Sequence, residues 1–161
     1  MDLSGSWIYM QEIAKSRLAH NQTDRQVTEY GEGIELLGVA GEIIARRFLG
    51  LEEKLHDTFD NGIDFMYAGM RVDVKATVLT PKINFRYLQW PVWKKIRCDL
   101  ILLTAIDPIG KNGTVIGYAT KEELEAAPIN EKRTSPCHEI PVMSLHPAWE
   151  LLMVNTRRFA V

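Results

Sequence analysis

The spacing of apolar and polar residues changes along the chain, and these changes predict the order of helices and strands. Apolar residues recur at helical spacing in two early segments, about 6–19 and 30–49, which the polar break HNQTDRQ at 20–26 separates. Gly50 follows the second segment and is expected to end that helix. The apolar stripe of the second predicted helix consists of Ile34, Leu37, Gly41, Ile44, Ala45 and Phe48.

The middle of the chain has the pattern of β-strands. Two strands are predicted at about 62–68 and 70–78. The apolar run DLILLTAI at 99–106 has the length expected of a strand that is buried on both faces, and 114–119 is its expected neighbour. The segment at 83–97 stays ambiguous, because it begins like a strand and Pro91 then favours either an interruption or a short helix.

The last third of the chain predicts a short helix, a long loop, one more strand and a final helical turn or two. Thr120 and Glu123 have the spacing of a capping box at the start of the short helix, which Pro128 closes. The loop is expected at 128–138, and the strand at 139–145 is followed by helical turns. The whole order is typical of an α/β or α+β protein in which helices flank a sheet.

The two central strands contain charged residues where a hairpin favours Val and Ile. Side chains alternate along a strand, so Asp73 and Lys75 share one face. If Ala68 and Gly69 form a two-residue turn, Asp64 lies directly opposite Asp73, a register that depends on the loop length. Like charges in such a pair destabilise a sheet unless a cation lies between them, and a hard divalent ion prefers carboxylate oxygens.

A third carboxylate is available on the second predicted helix. Glu42 lies in a narrow polar seam between two apolar sides of this helix, and Gly38 and Gly41 remove bulk beside it. Two simpler interpretations exist: the hairpin acids form a solvated face with weak salt bridges, or Glu42 pairs with Arg46 at i, i+4. The combination of three acids, apolar strands and a basic segment favours a functional site.

Composition and charge fit one cytoplasmic domain that contacts a polyanion. The 161 residues are 46% hydrophobic and 25% charged, without an apolar run of the roughly 20 residues that a membrane helix needs, and the N-terminus lacks the basic start of a signal peptide. Cys98 and Cys137 are expected to be free thiols. Residues 71–97 contain seven basic residues and one acidic residue, although the net charge of the chain is −2.

The basic segment supplies candidate contacts to nucleic acid. The best candidates for phosphate contacts are Lys82, Arg86, Lys94 and Lys95. Four aromatic residues are interleaved with them, and these either present rings to unpaired bases or belong to the core: Phe85, Tyr87, Trp90 and Trp93. No phosphate-binding glycine motif for ATP or a dinucleotide is present in the sequence.

The acidic and basic residues, in this order, resemble the PD-(D/E)XK nuclease superfamily, in which a helix with Glu precedes a strand with Asp and a strand with Asp-x-Lys. The matching segments are GVAGEIIARRFLG with Glu42, GIDF with Asp64, and VDVKAT with Asp73 and Lys75. The resemblance is closest to Holliday-junction-resolvase-like and phage-encoded members and covers about 30–106.

The resemblance implies a restriction-endonuclease-like core, with a central mixed sheet of four to five strands flanked by helices. A catalytic core at 30–125 would then follow an N-terminal helical extension at 1–29 and precede a C-terminal strand and helix at 126–161. The resemblance also implies that Glu42, Asp64, Asp73 and the carbonyl of Val74 bind Mg²⁺, with Mn²⁺ as the alternative ion.

The resemblance further implies a metal-dependent deoxyribonuclease in which Lys75 orients the attacking water. DNA is the expected partner, RNA is the lesser alternative, and no membrane is expected. A homodimer is one expectation, because cutting both strands of a duplex needs two sites. The competing hypothesis is a nucleic-acid-binding module or partner subunit that keeps the nuclease fold without catalysis.

Overall fold

A computed structural model describes residues 1–25, 32–55, 62–79 and 86–158, without the side chains of 20–25, 32 and 155–158. The helices are α1 (Trp7–Arg25), α2 (Glu32–Phe48), α3 (Lys121–Ala126) and α4 (Trp149–Arg158). The strands are β1 (Phe65–Tyr67), β2 (Met70–Val78), β3 (Tyr87–Pro91), β4 (Leu100–Asp107), β5 (Asn112–Thr120), β6 (Ile129–Asn130) and β7 (Cys137–Pro141).

The central sheet has four strands in the order β1-β2-β4-β5. Strand β2 is antiparallel to β1 and parallel to β4, and β4 is antiparallel to β5, so the sheet is mixed. All residues of β4 except the last are buried, as the apolar run at 99–106 predicts. The fold is therefore α+β, with helices beside a mixed four-stranded sheet.

A second sheet of three strands, in the order β3-β7-β6, corrects the predicted loop and resolves the segment that the sequence left ambiguous. The C-terminal strand belongs to this sheet and not to the central one, and the predicted loop at 128–138 contains β6 and the start of β7. Pro91 is the last residue of β3 and is followed by a turn, so no short helix begins there. Leu88 and Trp90 of this sheet pack in one buried cluster with Ile101 and Leu103 of β4.

Helix α1 extends six residues beyond the predicted end at Ala19. The polar residues of the segment at 20–25 are compatible with a helix, since none of them is Gly or Pro, and the loss of apolar spacing there was wrongly interpreted as a break. The first turns of α1 place Trp7, Met10 and Ala14 in one buried cluster with residues of α2. Helix α2 ends at Phe48, two residues before Gly50.

Helix α2 crosses the central sheet at very close range. A Cβ at Gly41 would lie 2.7 Å from Thr104 Oγ1 and 2.8 Å from the Cβ of Ala76, distances that real Cβ atoms do not show. The helix covers the face of β2 that carries Val72 and Val74. The opposite face of β2, with Asp73 and Lys75, therefore points toward the second sheet.

The turn between β1 and β2 confirms the predicted register. Ala68 and Gly69 have φ values of +49° and +80°, and positive φ at both central residues is the requirement of a type I′ turn. Tyr67 pairs with Met70 and Phe65 pairs with Val72.

Of the helices in the described part of the chain, none is long and apolar enough to cross a membrane.

Candidate active site

Asp64 lies one residue before β1, where the hairpin register places it opposite Asp73. Its backbone N–H donates to the carbonyl oxygen of Val72, the partner of the neighbouring Phe65, at 2.8 Å. Its carboxylate oxygen Oδ2 accepts a hydrogen bond from the backbone N–H of Val74. Both main-chain bonds hold the Asp64 carboxylate against the edge of β2.

The carbonyl of Val74, an expected metal ligand, faces the same edge as Asp64. The N–H and C=O groups of one residue in a strand point to the same side, and the Val74 N–H points to Asp64. A main-chain oxygen and a carboxylate therefore lie side by side at the start of β1.

Asp73 and Lys75 form an ion pair on the face of β2 that points to the second sheet. Asp73 is only 2% exposed, which rules out the solvated hairpin face as an interpretation. The ammonium of Lys75 pairs with Asp73 Oδ1 and also lies 4.6 Å from the ring centroid of Trp90. Lys75 thus contacts both the acidic cluster and the second sheet.

Glu42 is 5% exposed and approaches from α2, on the other side of the sheet. Arg17 of α1 donates two hydrogen bonds to it, one of them 3.0 Å long between Nη2 and Oε2. Arg17 is a site residue that the sequence did not indicate, because no local spacing connects positions 25 residues apart on two helices.

Arg46, the partner that the i, i+4 alternative assigned to Glu42, positions the chain beside the site. Its guanidinium donates to the carbonyl oxygen of Asp64 at 3.1 Å and to that of Glu52 at 3.2 Å. It also lies 5.0 Å from the ring centroid of Phe65. These contacts fix the backbone that carries Asp64.

The electrostatics of Asp64 link the three acids. Burial raises the pKa of Asp64 well above its ordinary value, and the negative charges of Glu42 and Asp73 raise it further. Lys75 and the N–H of Val74 act in the opposite direction. The charges of Glu42 on α2 and Asp73 on β2 therefore both act on the Asp64 carboxylate.

Cys98 lies beside the same cluster. The thiol is buried, and burial together with the charge of Asp73 raises its pKa to about 11. Within the described residues Cys98 and Cys137 are both free thiols. A neutral, buried Cys98 adds an apolar wall to the site rather than a nucleophile.

The donor set suits a hard divalent cation, although its atoms have protein partners. Carboxylate and carbonyl oxygens are the ligands that Mg²⁺ prefers. Across the described ranges, no group of three His, Cys, Asp or Glu side chains is already arranged to hold a metal ion. To bind the ion, Glu42 would have to release Arg17, and Asp73 would have to release Lys75.

The basic segment is divided between the surface and the core. Lys82 and Phe85 lie outside the described residues, and Arg86 and Lys95 are exposed. The ammonium of Lys94 lies 4.8 Å from the ring centroid of Trp90.

The aromatic residues of this segment have different environments. Trp90 is 1% exposed and belongs to the core, whereas Trp93 is 77% exposed, and Tyr87 is also exposed. The rings were expected either to belong to the core or to face unpaired bases. The first interpretation is correct for Trp90 and wrong for Trp93.

Comparison of the chain with known proteins found no matching family model, no matching curated protein and no matching solved structure.

Proposed function

We propose that this protein is a Mg²⁺-dependent deoxyribonuclease with a restriction-endonuclease-like core of the PD-(D/E)XK type. The observation that carries the proposal is the position of the Asp64 carboxylate, which the Val74 N–H holds against β2 near the Asp73–Lys75 pair and where the charges of Glu42 and Asp73 act on it. A stable fold does not require an acid that two neighbouring acids repel, and such an arrangement is typical of functional sites.

The proposed roles follow from the position of each group. Asp64, Asp73, Glu42 and the carbonyl of Val74 would hold the ion, which would supply positive charge to acidify a water and to stabilise the phosphate in the transition state. Lys75 has three N–H donors, which orient the attacking water toward the scissile phosphate.

The order of the elements supports the nuclease over other metal-dependent hydrolases. A helix with Glu42 precedes an antiparallel hairpin with Asp64 on its first arm and Asp73 and Lys75 on its second. The next strand of the sheet, β4, is parallel to β2. The exposed cations of 86–97 favour a polyanionic substrate, and we propose DNA.

A second candidate is a nucleic-acid-binding module without catalysis. The observation that favours it is the set of protein partners: Arg17 binds Glu42, Lys75 binds Asp73 and the Val74 N–H binds Asp64. If these contacts persist in solution with Mg²⁺, both oxygens of Glu42 and one oxygen each of Asp64 and Asp73 stay bound to the protein, and too few ligands remain for tight binding of the ion. The protein would then contact DNA through its cations alone.

Cleavage of labelled DNA separates the two candidates. Purified protein is incubated with Mg²⁺ or Mn²⁺ and with linear duplex, single-stranded and branched DNA, and RNA is added as a separate substrate. The nuclease predicts cutting that requires the metal and falls by about 100-fold or more in Asp73→Asn and in Lys75→Met. Asp99→Asn, which changes an exposed acid paired with Arg71, is the matched control and retains cutting.

Binding measured with Ca²⁺ in place of Mg²⁺ completes the design. A wild-type protein that binds DNA in a salt-dependent manner but cuts no substrate with any metal identifies the binding module. Cutting that survives unchanged in Asp73→Asn assigns catalysis to a different site and contradicts the proposal.

A further inference from the structure

Trp93 lies on an exposed surface built from two neighbouring segments. The segments are 92–97, which follows β3, and 131–136, which connects β6 to β7; together they are called the Trp93 surface. The Val92 N–H donates to the carbonyl oxygen of Pro136 at 3.0 Å, and Trp93 Nε1 donates to Ser135 Oγ at 3.2 Å. These bonds fix the indole by its edge, while 77% of the residue stays exposed.

The Trp93 surface is strongly basic. It contains five basic residues and one acid, Glu131. The basic residues are Lys94, Lys95, Arg97, Lys132 and Arg133. Protein interfaces are depleted in Lys at their centres, so an exposed indole among lysines fits a polyanion better than another protein surface. Base–aromatic stacking beside a basic groove is the common mode of binding to single-stranded nucleic acid.

The Trp93 surface connects to the candidate active site through one buried ring. The ring centroid of Trp90 lies 4.6 Å from the ammonium of Lys75 and 4.8 Å from that of Lys94, the neighbour of Trp93. The Lys94 N–H also donates to the carbonyl oxygen of Pro91 at 3.0 Å, which fixes the turn. The turn that carries Trp93 therefore lies next to Lys75 of the candidate site.

We propose that the indole of Trp93 stacks on an unpaired nucleobase, and that Lys94, Lys95 and Lys132 contact the phosphates of the same strand. This inference rests on the proposed function and specifies its substrate class as DNA with a single-stranded segment, such as a flap or a branch. The bases of a continuous duplex are already stacked on both faces and offer no free face to Trp93.

Binding of matched single-stranded and duplex DNA tests the inference. Fluorescence anisotropy in EDTA, which prevents cutting, gives the affinity of each variant for a labelled mixed-sequence oligonucleotide and for its duplex. We expect Trp93→Ala to weaken single-strand binding by about tenfold or more and duplex binding by less than about twofold. Trp93→Phe, which keeps a ring, retains most of the single-strand affinity.

Trp149→Ala is the matched control, since Trp149 is 60% exposed at the start of α4, next to the acidic Glu150, and belongs to neither segment of the Trp93 surface. It leaves both affinities unchanged, and thermal melting verifies that each variant is folded. Equal losses on single strand and duplex in Trp93→Ala, or no loss on either, overturn the stacking. A wild-type protein without affinity for single-stranded DNA overturns it as well.

The outcomes distinguish this inference from the nuclease proposal. If no metal supports cutting but Trp93→Ala selectively loses single-strand binding, the stacking stands and the nuclease fails. If the wild type cuts and Trp93→Ala binds both DNAs normally, the nuclease stands and the stacking fails. If Trp93→Ala instead abolishes self-association in size-exclusion chromatography without changing DNA binding, the surface contacts a second copy and the inference is wrong.

Discussion

Two carboxylates of this protein, Asp64 and Glu139, lie in opposite electrostatic surroundings. Glu139 of β7 is 8% exposed and accepts three side-chain hydrogen bonds: from Gln89 at 3.0 Å, Asn130 at 3.1 Å and Arg133 at 2.6 Å. Burial alone would raise the pKa of Glu139, but the bonds from Asn130 and Arg133 outweigh it and lower the pKa.

Asp64 has the reverse balance. Its burial is reinforced by the charges of Glu42 and Asp73, and Lys75 and one main-chain N–H do not compensate, so its pKa is raised. The comparison teaches that burial of an acid does not identify a functional residue. What distinguishes the candidate site is the accumulation of like charge, which opposes folding unless a ligand relieves it.

The largest expected effect on stability belongs to Glu139. Glu139→Ala removes three hydrogen bonds to a charged acceptor, and we expect it to lower the free energy of unfolding by roughly 1.5–3 kcal/mol at pH 7. Thermal denaturation then gives a fall in Tm of roughly 5 °C. Because the folded-state pKa is lowered, the loss is complete above the ordinary pKa of 4.5 and disappears as the pH falls through the folded value.

Glu125→Ala is the control for this substitution. Glu125 is exposed and forms only a 3.6 Å pair with Lys121 on α3, so its removal changes stability by less than about 0.5 kcal/mol. DNA cutting by folded Glu139→Ala stays close to wild type. Equal stability of the two variants would show that the network around Glu139 contributes nothing.

A smaller effect of opposite sign is expected at Asp64. Asp64→Asn removes a repelled charge and keeps an oxygen for the Val74 N–H, so the free energy of unfolding rises by about 1 kcal/mol at pH 7. Since the pKa of Asp64 is raised on folding, the contribution of Asp64 to stability is most favourable below its ordinary pKa of 3.8 and is lost as the pH rises through the folded value.

Urea denaturation across pH measures this gain. The advantage of Asp64→Asn is absent near pH 3 and grows toward neutrality, while DNA cutting is lost. If Asp64→Asn is less stable than wild type at pH 7, the proposed repulsion is contradicted. The charge of Asp64 would then stabilise the fold, as the charge of Glu139 does.

The smallest effect concerns Arg17, whose guanidinium competes with a cation for Glu42. Arg17→Met leaves Glu42 without this partner, so Mg²⁺ is expected to bind roughly threefold to tenfold more tightly and to raise Tm more than in wild type. Isothermal titration calorimetry measures the affinity. Arg71→Met, which disrupts an exposed pair with Asp99, is the control and leaves Mg²⁺ binding unchanged.

If Arg17→Met binds Mg²⁺ and the wild type does not, the Arg17–Glu42 ion pair prevents Mg²⁺ binding in the wild type. Weaker binding in Arg17→Met would show that Arg17 orients Glu42 and does not compete with the ion. Either result shows whether Arg17 keeps Glu42 from binding Mg²⁺ or holds Glu42 in position to bind it.

Local sequence patterns predicted the parts of this fold that short-range rules determine. The turn at Ala68 and Gly69 fixed the hairpin register, and the Thr120 side chain and Glu123 form both bonds of the expected capping box. The buried strand β4 was recognisable because a strand covered on both faces has no polar side.

Long-range pairing was not predictable in the same way. Strands β3 and β7 pair Gln89 with Glu139, which are 50 residues apart, so no local period connects them. Arg17 reaches Glu42 only because two helices pack together. The different exposure of Trp90 and Trp93 likewise depends on which face the second sheet covers, and a count of aromatic residues does not contain that information.

The close crossing of α2 over the sheet at Gly41 makes the geometry of the candidate site depend on packing in the core. The missing side chain allows the backbone beside Glu42 to reach within contact of Thr104 and Ala76, and one added methyl group would force the helix outward. Gly41, which has a hydrogen atom in place of a side chain, thus sets how closely Glu42 on the helix approaches Asp64 and Asp73 on the hairpin. Tuning of this centre by substitution can therefore begin at a residue without any functional group.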